Sequence, residues 1–517
     1  MKNYPKQLLE KAIILNPELA EAHYKLGMLN KSENDAELAV KNFKKAVEIN
    51  TEFPEAECEL AIELAKLDQV EESREHFLNA LEIEPNYAEA YFQYGLLLIQ
   101  INDIEEAKNN FDKVTEINQN FEQAYFYKAS LLKSPDDFED AKKNYETAID
   151  INPKFVDAYY YLAKLLNGGI ATDNEGSIIN KKNESQAIIL LQKVLELKKN
   201  HHKANYNLGK IYHSKGSNEK AKEHLLSAIK QHKSYAKAHY LLGLIYEEDG
   251  NINKATEHYE ATLLSNPDHA LANFRSGRIH FQQAEYEKSL EFLNRSHSLD
   301  NNHDQTHFYL ALLLKGDEDP SLSKKHFYKA LEINPDFAEA YFELAVHSEN
   351  HGDISEAKIH FQKATEVDQN YADAYFNLGR LCSHNPSEYE QAYRNFETAL
   401  EIDPEFEECN YYFGKLLVKG TQLTKDGSLI HKPNVKKAES LFRNAIRINP
   451  QSSIALYELG KLLASIKSYV EAYKFLDKSI TIDPKFADGH YELAVLLMNR
   501  DALKKIKASL SNSKKQG

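Results

Sequence analysis

The chain has 517 residues, 42% apolar and 27% charged, with a formal net charge of −16. A single hydrophobic core stops growing near roughly 250–300 residues, so this length means several domains or a repeat array. The acidic balance argues against wrapping nucleic acid or an anionic membrane surface, which are held through Lys and Arg.

Taken from its start, the chain offers only Ala12 to Leu15 as an early apolar run, too short for a signal sequence. No stretch approaches the ~20 apolar residues of a membrane span. The chain reads as cytoplasmic. It opens in mid-repeat, so an extracellular location is left open for a processed or incomplete N-terminus. Tyr4 to Leu19 form half of a unit that then recurs with a period of 34 residues. Whole units begin at Ala20, Pro54, Ala88, Glu122, Val156, His202, Ala236, Ala270, Asp304, Ala338, Ala372, Glu407 and Ser453, and a partial one at Ala487.

Each unit predicts two helices, because apolar residues recur at i, i+3, i+4 and i+7 in both halves. The eighth place is always Gly or Ala, from Gly27 through Gly277 and Gly379 to Ala494. Glycine costs a helix about 1 kcal/mol, so a close helix contact is expected there. The twentieth place is Ala or Ser, from Ala39 to Ala472, and reads as the matching contact on the second helix. Proline ends the second helix at Pro17, Pro85, Pro153, Pro267, Pro335, Pro404, Pro450 and Pro484.

This pattern resembles the tetratricopeptide repeat family over nearly the whole chain. Departures are a fourth place filled mostly by Tyr, His, Asn or Glu instead of tryptophan, and prolines missing at Thr51, Gln119, Lys199, Lys233, Asn301 and Gln369. The resemblance implies an all-α, right-handed superhelical solenoid, here one array over residues 4–510 with a flexible basic tail at 511–517. It also implies that first helices line a concave groove and second helices form the outer wall.

Two units are 46 residues long, with inserts at Asn167 to Ser185 and Val418 to Lys436. Glu175-Gly176-Ser177-Ile178-Ile179 matches Asp426-Gly427-Ser428-Leu429-Ile430 at an offset of 251, and Pro135 matches Pro386. Seven units therefore read as a duplicated block, so that by the resembled family's geometry the whole chain would span close to two superhelical turns. Each insert reads as a β-hairpin, the second with strands Thr421 to Thr424 and Ser428 to His431 around Lys425-Asp426-Gly427. A calcium loop at Asp173-Asn174-Glu175-Gly176 lacks the further carboxylates such a loop needs.

No catalytic constellation emerges, and no cofactor is expected. His347 and His351 stand i,i+4 without a third ligand. Cys58, Cys382 and Cys409 have no zinc-site or disulfide spacing and read as buried thiols. The fifth place is aromatic in thirteen of fourteen units, among them Tyr160, Tyr206, Tyr240, Phe274 and Phe308. These rings either pack between neighbouring first helices or present edges to a bound segment. From Glu196 to Lys237 ten lysines face three acids, and Lys164, Lys203, Asn207, Lys210 and Lys237 fall on the concave stripe. Some relatives clamp a peptide carboxylate. Asn207 and Lys237 match two of the five clamp places, whereas Tyr160, Lys164 and Leu241 do not match the rest.

The reading is a scaffold that binds a protein or peptide in the groove, not an enzyme. Its rival is head-to-tail self-assembly into a filament. There the opening second helix (Leu8, Leu9, Ala12, Ile13) would complete the closing first helix (Tyr491, Leu493, Ala494, Leu497) of the next copy. The alternative for that end is Asp501 to Leu510 folding back as an ordinary cap.

Overall fold

Amphipathic segments that cannot bury their apolar stripes alone stack against their neighbours, and every expected first helix begins where the 34-residue spacing puts it, from Ala20 to Ala487. The computed structural model describes residues 4–172, 178–316, 320–420 and 431–516. The chain divides into two compact units, Met1–Pro267 and Asp268–Gly517, both built from the same helix pair and together an all-α solenoid of repeats. Within a repeat the two helices pack on each other, as Ala20–Ser32 does on Ala36–Ile49.

The eighth-place contact is tighter than a match of small residues. A Cβ on Gly27, Gly95 or Gly243 would lie 2.6, 2.9 and 2.5 Å from the rings of Phe43, Phe111 and Tyr259. Those rings sit four places beyond the small residue of the second helix and are fully buried. The twentieth place contributes differently from expectation. Where it is serine, its hydroxyl donates to the eighth-place carbonyl: Ser73 to Ala61 at 2.7 Å, Ser289 to Gly277 and Ser323 to Ala311 at 2.8 Å.

Second helices without a proline stop in the same place as those with one. Asn50, Asn118, Asp300 and Asp368 follow the last helical residue and accept a hydrogen bond from the backbone N–H two residues on, at 2.8–3.1 Å. This local bond competes with helix continuation. In several 34-residue repeats the turn between the helices takes a left-handed residue, supplied by Asn34, Asn102, Gly250 and Gly352 but also by Ala284 at φ 59°. Ala284→Gly should therefore raise the stability of its unit by roughly 0.5–1 kcal/mol, read as a higher urea midpoint at unchanged slope.

The first insert is a hairpin. Strand β1 (Ile170–Thr172) pairs antiparallel with β2 (Ile178–Asn180), with Ala171 opposite Ile179. Gly169 opens it at φ 41°, where a Cβ would lie 2.2 Å from the Lys182 nitrogen. Gly420 holds the equivalent place in the second unit, at φ 60°, with a Cβ meeting the His431 carbonyl at 2.7 Å. Both inserts close by the same backbone bond, Asn183 N–H to Leu166 O at 2.9 Å and Asn434 N–H to Leu417 O at 3.0 Å. The expected second hairpin lies almost wholly outside the described residues. Corresponding elements recur 251 positions apart: turns Pro135–Asp137 and Pro386–Glu388, and helices Val156–Gly168 and Glu407–Lys419.

At the C-terminal end the helix Arg500–Gln516 runs past Leu510, where a flexible tail was expected to begin. It packs on Tyr469–Ile482 and Ala487–Met498 and buries Ala502 and Ile506.

Candidate functional site

In the first unit, helices Val156–Gly168, His202–Ser214 and Ala236–Glu248 each present places two, five, six and nine along one face. Residues three and four apart share a helix face, so these places form a stripe. Lys164, Lys203, Lys210 and Lys237 are exposed on it, and none of the four forms an ion pair among the described residues. Two other lysines of the basic stretch are ion-paired, Lys215 with Glu184 at 3.1 Å and Lys222 with Glu219 at 2.5 Å and Asp249 at 3.0 Å.

Asn207 is not a free amide. Its Nδ2 donates to the Tyr160 hydroxyl at 3.2 Å and to the Lys203 carbonyl at 2.9 Å, tying one repeat to the next. Burial raises the Tyr160 hydroxyl above its ordinary pKa, against the pull of Asn207.

Fifth-place rings pack on the neighbouring first helix, as Phe126 does on Tyr161 at 5.4 Å and Phe274 on Tyr309 at 6.1 Å. Several also meet the ring just before that helix: Tyr160 on His201 at 5.1 Å, Tyr206 on Tyr235 at 5.3 Å, Phe274 on His303 at 4.6 Å and Phe308 on Phe337 at 4.8 Å. Tyr160, Tyr206 and Tyr240 stay half-buried, but Phe274 and Phe308 are 1% and 9% exposed and drop out of the groove surface.

The 251-residue offset supplies a comparison within the chain. At the places of Lys164, Asn207, Lys210 and Lys237 the second unit has Lys415, Glu458, Lys461 and Asp488. Glu458 lies 3.9 Å from Lys415. Burial pushes its carboxyl up from the ordinary value, against Lys415 and Lys461. The second stripe thus pairs a lysine with a carboxylate, whereas the one acid at these places in the first, Asp157, is in no ion pair with the four lysines.

Of the residues expected at a head-to-tail contact, Leu8 is 50% and Tyr491 69% exposed, and Ala494 is exposed. Leu9, Ala12, Ile13 and Leu497 are half-buried, and Leu493 is buried. The place beside the last first helix, which a second copy was to fill, is taken by the chain's own Arg500–Gln516 helix, as in the capping alternative.

His347 and His351 rings lie 4.3 Å apart, but the His351 Nδ1 is engaged with the His347 carbonyl at 2.7 Å. Among the described residues no group of three His, Cys, Asp or Glu is placed to hold a metal ion. Cys58, Cys382 and Cys409 are buried, and burial pushes the first two thiols up to about 12 and the third upward as well. No helix among the described residues is long and apolar enough to cross a membrane.

The helix-pair architecture defines a protein of stacked helical repeats. Models of the tetratricopeptide repeat match residues 20–53, 122–155 and 338–371, residues 76–109 and 360–394, and residues 240–302 and 434–487, and a TPR repeat model matches 209–250. The chain belongs to the tetratricopeptide repeat family, whose members are typically protein-interaction scaffolds. No curated protein matches it. Similar solved structures include YrrB, described as a TPR protein with an unusual peptide-binding site, at 21% identity, covering 38% of this chain and 96% of that one, with a TM-score of 0.33. The Cut9–Hcn1 hetero-tetramer of APC/C matches at 13% identity, covering 92% and 96%, with a TM-score of 0.38. Yeast Tom70 matches at 14% identity, covering 94% and 99%, with a TM-score of 0.32.

Proposed function

We propose that this protein is a non-catalytic scaffold whose first unit binds an acidic peptide segment in the lysine-bearing groove. The observation that carries the reading is the contrast between the stripes: Lys164, Lys203, Lys210 and Lys237 are in no ion pair among the described residues, while Lys415, 251 positions after Lys164, faces Glu458. In a chain of net charge −16, four unpaired cations on one face attract a negative partner and set its orientation. Asn207 and the half-buried Tyr160 and Tyr206 hold the stripe rigid, which lowers the entropic cost of binding.

The test is a fluorescein-labelled, glutamate-rich decapeptide titrated by anisotropy against the protein and against the Lys203→Glu/Lys210→Glu/Lys237→Glu variant. Exposed charge changes alter stability by at most about 0.5 kcal/mol, so the variant should remain folded by circular dichroism. Its affinity should fall by about tenfold or more, and wild-type binding should weaken as salt rises past roughly 0.15 M. Equal affinity of wild type and variant at that salt would sink the reading.

A further inference from the structure

A cavity of about 310 Å³ opens beside Lys164, walled by Tyr145, Tyr161, Leu165, Gly168 and the hairpin residue Ile170. It exists because the insert replaces the tight turn between the two helices of its repeat with strands β1 and β2, so that Ile170, rather than a turn residue, borders the last turn of helix Val156–Gly168. Its floor is aromatic: Tyr161 stacks on Tyr145 at 6.4 Å and meets Phe126 at 5.4 Å. The Lys164 ammonium lies 5.9 Å from the Tyr161 ring, so the cavity and the cationic stripe share one wall. Small-molecule sites begin near about 300 Å³, which leaves room here for one apolar side chain rather than a cofactor.

We propose that the groove reads a two-part motif, an acidic stretch laid along Lys164, Lys203, Lys210 and Lys237 with one bulky apolar side chain seated in the cavity beside Lys164. This rests on the acidic-segment reading above and adds to it what selects among acidic segments. Charge alone would accept any acidic chain. The cavity adds a shape criterion at one end of the stripe, and the hairpin supplies part of its wall. The equivalent cleft of the second unit, about 460 Å³ and lined by Tyr412, Lys415, Leu416 and Glu458, keeps the Tyr–Lys–Leu set but brings its own carboxylate to the lysine. It is therefore a poor host for an acidic motif.

The experiment uses two families of glutamate-rich decapeptides on the full chain, one with a single leucine moved along the sequence and one with alanine in its place. At one leucine position the wild type should prefer leucine over alanine by about tenfold, the effect of burying one aliphatic side chain. Gly168→Phe should abolish the preference by filling the cavity. A Cβ at Gly168 meets nothing within 4 Å, so the substitution is compatible with the fold. Ile170→Ser, at an exposed strand position, should reduce the preference without touching the core. Equal binding of leucine and alanine peptides at every position overturns the two-part motif while leaving the acidic groove standing. If neither family binds, the acidic reading falls and this one with it.

Discussion

Gly277→Leu should destabilise the second unit by about 3 kcal/mol or more, at the upper end of what overpacking a close contact costs. The glycine faces Leu293, which is fully buried, and a Cβ alone would stand 2.7 Å from Leu293 Cγ and 3.2 Å from its backbone nitrogen. Backbone cannot swing aside as a side-chain tip can, so the two helices must separate. Separation would also stretch the 2.8 Å bond from the Ser289 hydroxyl to the Gly277 carbonyl. Gly379 is the informative comparison. Its Cβ would lie 3.1 Å from Phe396 Cδ1 and 3.3 Å from the Ala392 carbonyl, a milder crowding. Gly379→Ala should come out near neutral, because the helix-propensity gain of about 1 kcal/mol offsets the strain. Ala61 and Ala311 already hold a methyl at this place opposite Phe77 and Phe327, so the repeat can absorb one carbon but not four. Thermal unfolding followed by far-UV circular dichroism decides it: an unchanged transition for Gly277→Leu would mean the contact is not the one described.

How much of this was legible before the fold was known depends on whether a feature is local. The helix starts were, because small residues, apolar spacing and period are properties of each repeat by itself. The capping aspartates and asparagines were also in plain sight: Asn50, Asn118, Asp300 and Asp368 stand one residue before places where proline is missing, and the side-chain bond they make two residues on is a local one. Residues whose meaning comes from the next repeat were not legible. The fifth-place ring left packing between first helices and groove surface both open until its partner, the residue before the next first helix, came to lie 4.6–5.3 Å away in Phe274–His303 and Tyr206–Tyr235. The fourth place looked like a defect for want of tryptophan. It is instead a polar seam reaching nineteen residues on: Glu57 to His76 at 2.5 Å, Asn205 to His224 at 3.0 Å, His239 to His258 at 3.1 Å and His307 to His326 at 2.9 Å. The cavity beside Lys164 could not be read at all, since its walls come from two repeats and an insert.

That seam makes stability depend on pH in a window of its own. The His239 Nε2 lies 2.9 Å from the Lys233 carbonyl, and the His307 Nε2 lies 3.1 Å from the Asn301 carbonyl. A carbonyl only accepts, so each Nε2 carries the proton, each Nδ1 is an acceptor, and the facing Nδ1 of His258 or His326 donates. Burial first, then the neighbouring His239 and Lys254, pushes His258 down to about 4. Burial, then His307, His297 and Lys325, does the same to His326. Tyr246 stacks on His258 at 5.4 Å, and Lys222 and Lys254 lie over that tyrosine, adding further positive charge. In the unfolded chain these histidines titrate near 6.5. Between about 6.5 and 4 the unfolded state binds more protons than the folded one, so stability is whole above 6.5 and falls as the pH drops through that window. Partial exposure tempers the effect to on the order of 1 kcal/mol for each pair by pH 5. The carboxylates act lower. Despite burial, Glu356 is drawn down to about 2 by hydrogen bonds from Lys324, Tyr328 and Ser348, so its contribution is lost only below the ordinary carboxylate range. His258→Asn/His326→Asn keeps a donor toward each partner Nδ1 without a titrating ring, as the Asn205–His224 pair already joins an amide to an imidazole. Urea midpoints measured at pH 7 and pH 5 should fall between the two for the wild type and much less for the double variant. A double variant whose midpoint drops as far as the wild type's would place the acid sensitivity outside the seam.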